Sequence, residues 1–180
     1  MISLPKLDWK IYAIAIGALL LSVLIFFLQK VFLFLIIALA TAIVALALRF
    51  LRPIKYVGIE LVTLSTMLVG VAYGPVIGGI YAFTILLVHL ILGDYYIGTY
   101  LMWILPEYTL LGILSGIFRT EIMGPLGVAF IVGLNLMSLF FTFIGENERF
   151  VKELPYSIGN SAINSLVFIQ FFASLVNFID

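Results

Sequence analysis

Cysteine is absent from this 180-residue chain, and histidine occurs once, as His89. A disulfide framework, a thiol nucleophile and a cysteine-ligated metal are therefore excluded, and a lone histidine argues against a multi-histidine metal site. No cofactor and no metal are expected. Charge is also scarce, at 10% of residues with nine basic against nine acidic side chains. No nucleic-acid partner is expected. The phosphate-cradling pattern Gly-x-x-x-x-Gly-Lys-Ser/Thr does not occur, so any energy the protein uses would have to come from separate ATPase subunits or from a gradient. There is no low-complexity tract and no convincing internal repeat.

What fills the chain instead is apolar: 64% hydrophobic residues and a mean hydropathy of +1.29. A soluble domain of that composition would expose far too much apolar surface, so an integral protein of the cell membrane is expected, multi-pass and surrounded by lipid. A hydrocarbon core about 30 Å thick needs roughly 18 to 20 helical residues at about 1.5 Å each. Seven runs of about that length are read as spans, at residues 11–28, 31–48, 57–73, 76–92, 101–118, 123–144 and 156–178. The fold class is all-α, a polytopic bundle forming one membrane domain over residues 1–180. The first run has the basic flank of a signal peptide, but it is long, lacks a small-residue cleavage pattern and runs almost directly into the next span, so it is read as a retained helix. Gly-Pro recurs at Gly74-Pro75 and Gly124-Pro125, where proline suits a first helical turn.

Alternating spans sort the connections onto two faces. Lys6, Lys10, Arg49, Arg52, Lys55, Arg149 and Lys152 share the first face, against Lys30 and Arg119 on the second, and the positive-inside rule places the first face in the cytoplasm. Glu60, His89, Glu107 and Asn160 all fall roughly 5 to 10 Å below that same face at about 1.5 Å per residue. An ionisable group in lipid is costly, so these side chains are expected to face inward and to share a shallow polar cavity. Each has a structural alternative. Glu60 could pair with Lys55 or Arg52, His89 could bond a backbone carbonyl, and Asn160 with Asn164, Ser157 and Ser161 could be interhelical glue. Glu107 follows Pro106, which loosens the helix ladder, and is flanked by Trp103 and Tyr108.

The short connection 93–100 carries Tyr95, Tyr96 and Tyr100, with Trp103 just beyond it. Such rings are ordinary interfacial anchors. With glycines at Gly93 and Gly98, the same segment also suits a lid over a small organic ligand.

The stretch Gly74-Pro-Val-Ile-Gly-Gly79, then a span ending near Val88-His89, then Leu105-Pro-Glu-Tyr-Thr-Leu-Leu-Gly-Ile-Leu-Ser-Gly-Ile-Phe118 resembles the substrate-binding S components of energy-coupling factor (ECF) vitamin transporters. The resemblance covers about residues 31–180 and is clearest between 58 and 118. It implies a six-span core, with 11–28 as an additional span. By the same likeness Glu107 is similar to the acid that contacts the cationic ligand in thiamine-binding members, and Asn160 to the polar contact on the last span. His89 falls where an aromatic or histidine commonly occurs near a loop. Ala38 and Ala42 resemble the small-xxx-small pattern that packs against a transmembrane coupling subunit. The family places its ligand site at the outer face, opposite to the side that the basic residues indicate.

The leading expectation is a binding subunit, not an enzyme, that takes up a small water-soluble, vitamin-like nutrient with separate coupling and ATPase subunits. Its substrate-binding residues would be Glu107, Asn160, His89, Trp103, Tyr108, Tyr95 and Glu60, with Ala38 and Ala42 packing on a partner helix. The alternative is a membrane scaffold or assembly protein whose surface is made by Gly70, Gly112 and Gly116. An intramembrane enzyme using Glu60, His89 and Glu107 ranks last, since no known catalytic spacing occurs.

Overall fold

A computed structural model describes residues 9–51, 56–95, 98–145 and 147–179. Among them there are helices and no strand. The order is α1 Trp9–Phe50, α2 Val62–Tyr73, α3 Pro75–Leu92, α4 Leu101–Ile117, a 3-10 turn Glu121–Met123, α5 Pro125–Gly145, α6 Asn147–Val167, a π-helical turn Phe168–Phe172 and α7 Ala173–Ile179. Four segments are long and apolar enough to cross a membrane: Lys30–Phe50, Pro75–Leu92, Pro125–Gly145 and Arg149–Asn177. The helices α2 and α4 are apolar but shorter. The chain divides into two units, Met1–Ile36 and Ile37–Asp180.

Three boundaries differ from the sequence reading. Gln29 and Lys30 are helical within α1 and do not form a connection between spans 11–28 and 31–48. Both residues are good helix formers, and no glycine or proline interrupts the ladder there. Without a connection at 29–30 the alternation that put Lys6 and Lys10 on the first face no longer holds, which leaves five of its seven basic residues, Arg49, Arg52, Lys55, Arg149 and Lys152. Of the five, Arg52 and Lys55 lie outside the described residues, as does Lys6. Second, the charged stretch read as a connection at 145–155 is mostly the start of α6, supported by an i,i+4 pair in which Arg149 Nε lies 2.9 Å from Glu153 Oε1. Third, α2 starts at Val62, not at Val57, for a reason taken up with the site.

In the first unit the apolar side chains Leu19, Leu20, Val31, Phe32 and Leu35 are exposed, which is compatible with a helix that faces lipid. The second unit begins within α1, which buries Thr41, Ala45 and Leu48 and leaves Ala38 and Ala42 half-buried. Next come α2, α3 and α4, which pack pairwise as a block. Its joint is glycine. A Cβ on Gly70 would lie 2.5 Å from the Gly112 carbonyl oxygen, and one on Gly78 would lie 2.5 Å from that oxygen and 2.6 Å from Gly70 Cα. At the end of α4, a Cβ on Gly116 would collide with Gly74 and Pro75. The three backbones therefore touch, and close van der Waals packing is what holds helices together in lipid. Gly74, at φ +90°, makes the single-residue reversal between α2 and α3, and Pro75 opens α3 where its missing N–H costs nothing.

The remaining helices α5 and α6 form an antiparallel pair, opened by Pro125. At one end Gly127 leaves room for the Phe168 ring, which stacks on Phe172 with centroids 4.4 Å apart. Beyond the π turn, α7 packs on α2 and buries Val176. The glycines Gly70, Gly112 and Gly116, candidates for a partner surface under the scaffold alternative, are consumed by contacts inside the block.

Candidate functional site

Glu60 sits just ahead of α2 and is 3% exposed. Its carboxylate accepts the free backbone N–H groups of the first turn, from Val62 and from Thr63 at 3.1 Å, together with the Thr63 hydroxyl at 2.5 Å. The helix therefore begins at Val62 because Glu60 caps it, and the positive end of the helix dipole favours the charge. Glu60 also reaches across to α6. Asn160 Nδ2 donates to Glu60 Oε1 at 2.9 Å and to the Gly58 carbonyl at 3.2 Å, and Asn164 Nδ2 donates to Glu60 Oε1 at 3.3 Å. Asn135 of α5 completes the chain by donating to Asn160 Oδ1 at 2.9 Å. Gly58, at φ +80°, fits directly against the backbone of Tyr156 and Asn160. A carboxylate with this many donors is a structural junction between α2 and α6.

Glu107 lies elsewhere, on α4 facing α5. It is 5% exposed, and its Oε2 accepts the Ser138 hydroxyl at 2.8 Å. Its Oε1 is buried and has no hydrogen-bond partner among the described residues. One turn earlier on α4, the Trp103 indole packs over Gly145, and its Nε1 is likewise buried without a partner. On α5, between Ser138 and Gly145, the Thr142 hydroxyl is also buried and unpartnered. An acceptor, a hydroxyl and a donor thus follow one another along the α4–α5 seam. Most buried polar atoms in proteins are paired, and these three are among the buried polar atoms here that have no partner among the described residues.

Aromatic contacts lie around the 93–100 connection, and one of them involves Trp103. The His89 and Tyr95 rings stack at 5.0 Å, Tyr100 meets Trp103 edge-on at 6.1 Å, and the Arg149 guanidinium lies 3.8 Å from the centre of the Tyr100 ring. Burial pushes the Tyr95 and Tyr100 hydroxyls upward in pKa, with Glu60 adding to the shift at Tyr95 and Glu153 at Tyr100, so both rings stay neutral at ordinary pH. Tyr108 is buried on α4, within 3.2 Å of the Thr63 hydroxyl.

The predicted site residues are thus placed as follows. Glu60, His89, Glu107, Tyr108 and Asn160 are buried, and Tyr95 and Trp103 are partly covered. Glu60 and Asn160 bond to each other, while Glu107 has a separate partner one turn along α5, since Asn135 holds Asn160 and Ser138 holds Glu107. Tyr96 lies outside the described residues, as do Arg52 and Lys55, the cations considered as partners for Glu60. The sequence reading missed Asn135, Ser138 and Thr142. Their signal is a polar stripe at i, i+3 and i+7 on the otherwise apolar α5, ending at Gly145.

A further groove of about 470 Å³ between α3 and α4, lined by Pro75, Ile80, Phe83 and Ile113, is apolar and shares no residue with this cluster. No group of three metal-ligating side chains occurs among the described residues. Comparison with protein-family models, curated proteins and solved structures finds no match to this chain. The functional reading therefore rests on the side chains themselves. A carboxylate oxygen, a hydroxyl and an indole N–H beside aromatic faces can bind and orient a small polar molecule by charge-assisted hydrogen bonds and stacking.

Proposed function

We propose that residues 31–180 form the substrate-binding membrane subunit of an uptake transporter for a small water-soluble nutrient, resembling an ECF S component and working with separate coupling and ATPase subunits. The observation that carries this reading is the unpartnered, buried Glu107 Oε1, followed along the same seam by Thr142 Oγ1 and Trp103 Nε1. Glu107 supplies charge to the ligand, Trp103 a donor and a stacking face, and Tyr95 and His89 cover the opening. Glu60 and Asn160, bonded to each other, hold the helices in place around it. The half-buried Ala38 and Ala42 leave a small-residue surface on α1 for a partner helix. The role is binding, with no bond made or broken.

Purification in mild detergent from its native membrane, followed by native mass spectrometry, tests the reading. A small molecule retained by the wild-type protein and lost in Glu107→Gln, together with copurifying ATPase-containing subunits, is the expected result. Absence of both would leave the scaffold reading, although the glycines first considered for it are already occupied within the block.

A further inference from the structure

Two helices of the block leave between them a furrow that plays no part in the polar seam. The groove of about 470 Å³ follows α3 and α4 from Pro75 to Thr84, and Val76, Ile80 and Phe83 stand exposed along its wall. Its floor is where the helices come close, since a Cβ on Gly79 would lie 2.8 Å from Ile113 Cγ1. The lining has little to offer a polar solute. The Thr84 hydroxyl donates to its own helix at the Ile80 carbonyl, 2.9 Å away, and the Thr109 hydroxyl donates to the Leu105 carbonyl at 2.7 Å. Thr109 turns its methyl to the floor, 3.7 Å from where a Gly79 Cβ would stand. Burying polar groups against such walls costs free energy with no hydrogen bond in return, so the occupant that suits the groove is hydrocarbon.

Dimensions decide between a lipid chain and a partner helix. The rise along α3 from Pro75 to Thr84 is about 14 Å, close to the ~15 Å depth of one leaflet. Spread over that length, 470 Å³ leaves a cross-section of about 35 Å², less than half of the roughly 80 Å² filled by a helix about 10 Å across. One unbranched chain fits lengthwise. The outer end of the groove lies where Gly116 meets Gly74 and Pro75, and three residues beyond Gly116, just past the end of α4, comes the exposed Arg119. A long basic side chain at a membrane face extends its charge to the headgroup level. We propose that the α3–α4 groove binds one acyl chain of an anionic phospholipid, taken from the leaflet on the Pro75 side, with Arg119 at the headgroup. Glu121 follows on the 3-10 turn and opposes the same charge, so the headgroup preference is modest. Lipid tails and aliphatic side chains are equally apolar, so the chain is held by packing in a preformed furrow and by its headgroup, not by burial from water. The groove shares no residue with the Glu107 seam, and either site can fail alone.

Native mass spectrometry of the detergent-purified protein, titrated with phosphatidylglycerol and with phosphatidylcholine of identical chains, is the test. The wild type should retain one phosphatidylglycerol about five-fold more tightly than phosphatidylcholine, the contribution of a single basic residue near a membrane surface. Arg119→Gln should equalise the two lipids and leave the chain site intact. Thr84→Trp, which fills the inner end of the groove from an exposed position, should weaken retention of both lipids about ten-fold. Ile80→Trp, also at an exposed position, serves the same purpose if the first variant does not fold. Equal affinity of the wild type for the two headgroups, a preference that survives Arg119→Gln, or retention untouched by the tryptophan variants would overturn the proposal. So would a dimer or a copurified membrane protein that the tryptophan variants release, because the groove would then seat a helix.

Discussion

The two halves of the second unit solve the same problem, helix association in lipid, by opposite means. The block α2–α4 removes side chains, so that Gly70, Gly78 and Gly112 bring the backbones into contact. The seam between α4 and α5 adds polar side chains and leaves several of their atoms unmatched. Glycine packing is stiff and carries no chemistry. A polar seam brings hydrogen-bonding groups that glycine packing lacks. Lipid tails are as apolar as leucine, so neither solution is driven by burial from water.

The comparison can be broken most forcefully at Glu60, where one carboxylate serves α2 and α6 together. Glu60→Leu should destabilise the protein by roughly 3–5 kcal/mol, because the α2 N–H groups and the Asn160 and Asn164 amides lose their acceptor at once. Thermal unfolding in detergent would measure it, and a loss below about 1 kcal/mol would mean that the junction is not holding the seam. Next in size is Gly112→Ala, where the new methyl meets the Gly78 carbonyl and should cost about 1–3 kcal/mol despite the gain in helix propensity. An alanine accommodated without loss would show that the block has slack after all.

Glu107→Gln sharpens the contrast. It should change stability by less than about 1 kcal/mol while weakening binding of the retained molecule by roughly 1.5–3 kcal/mol, about ten-fold or more. Calorimetry with that molecule is the measurement, and unchanged affinity would move Glu107 from the site to the framework. Smallest of all on folding is Ala42→Leu, expected to stay within about 0.5 kcal/mol because the position is only half-buried. Its effect should be on recovery of partner membrane subunits in a pull-down, and an unaltered yield would free this face of α1 from any docking role.

Much of the architecture follows from solvent and length alone. Apolar runs bounded by Gly74-Pro75 and Gly124-Pro125 begin α3 and α5 at the prolines themselves, and the cost of charge in lipid turns Glu60, His89 and Glu107 inward. Hydropathy is blind to whether a polar pair inside an apolar stretch marks a turn, which is why Gln29 and Lys30 mislead while remaining helical. It also reads charge as loop, although Arg149 and Glu153 are one turn apart on α6 and stabilise it. Within the site, the sequence exposes the ionisable members but not their neutral partners. Asn135, Ser138 and Thr142 are individually ordinary, and only the neighbouring helices give their spacing a meaning.

The π turn at Phe168–Phe172 bears on the phase of the last helix. Residues Asn160, Asn164, Phe168, Phe172 and Val176 are all buried, one every fourth position. In an unbroken α-helix each step of four advances about 40° beyond a full turn, so sixteen residues would carry Val176 about 160° round from Asn160, nearly to the opposite side. The wider turn takes back part of that advance, like a leap day that keeps a calendar aligned with its season. One helix can then offer amides to Glu60 near its start and an aliphatic side chain to α2 near its finish. Deleting a single residue within 168–172 should close the wide turn into ordinary α-helix and, at fifteen steps of about 100° from Asn160, leave Val176 on its present side with every hydrogen bond of Asn160 intact, whereas a deletion outside the turn should let the phase slip.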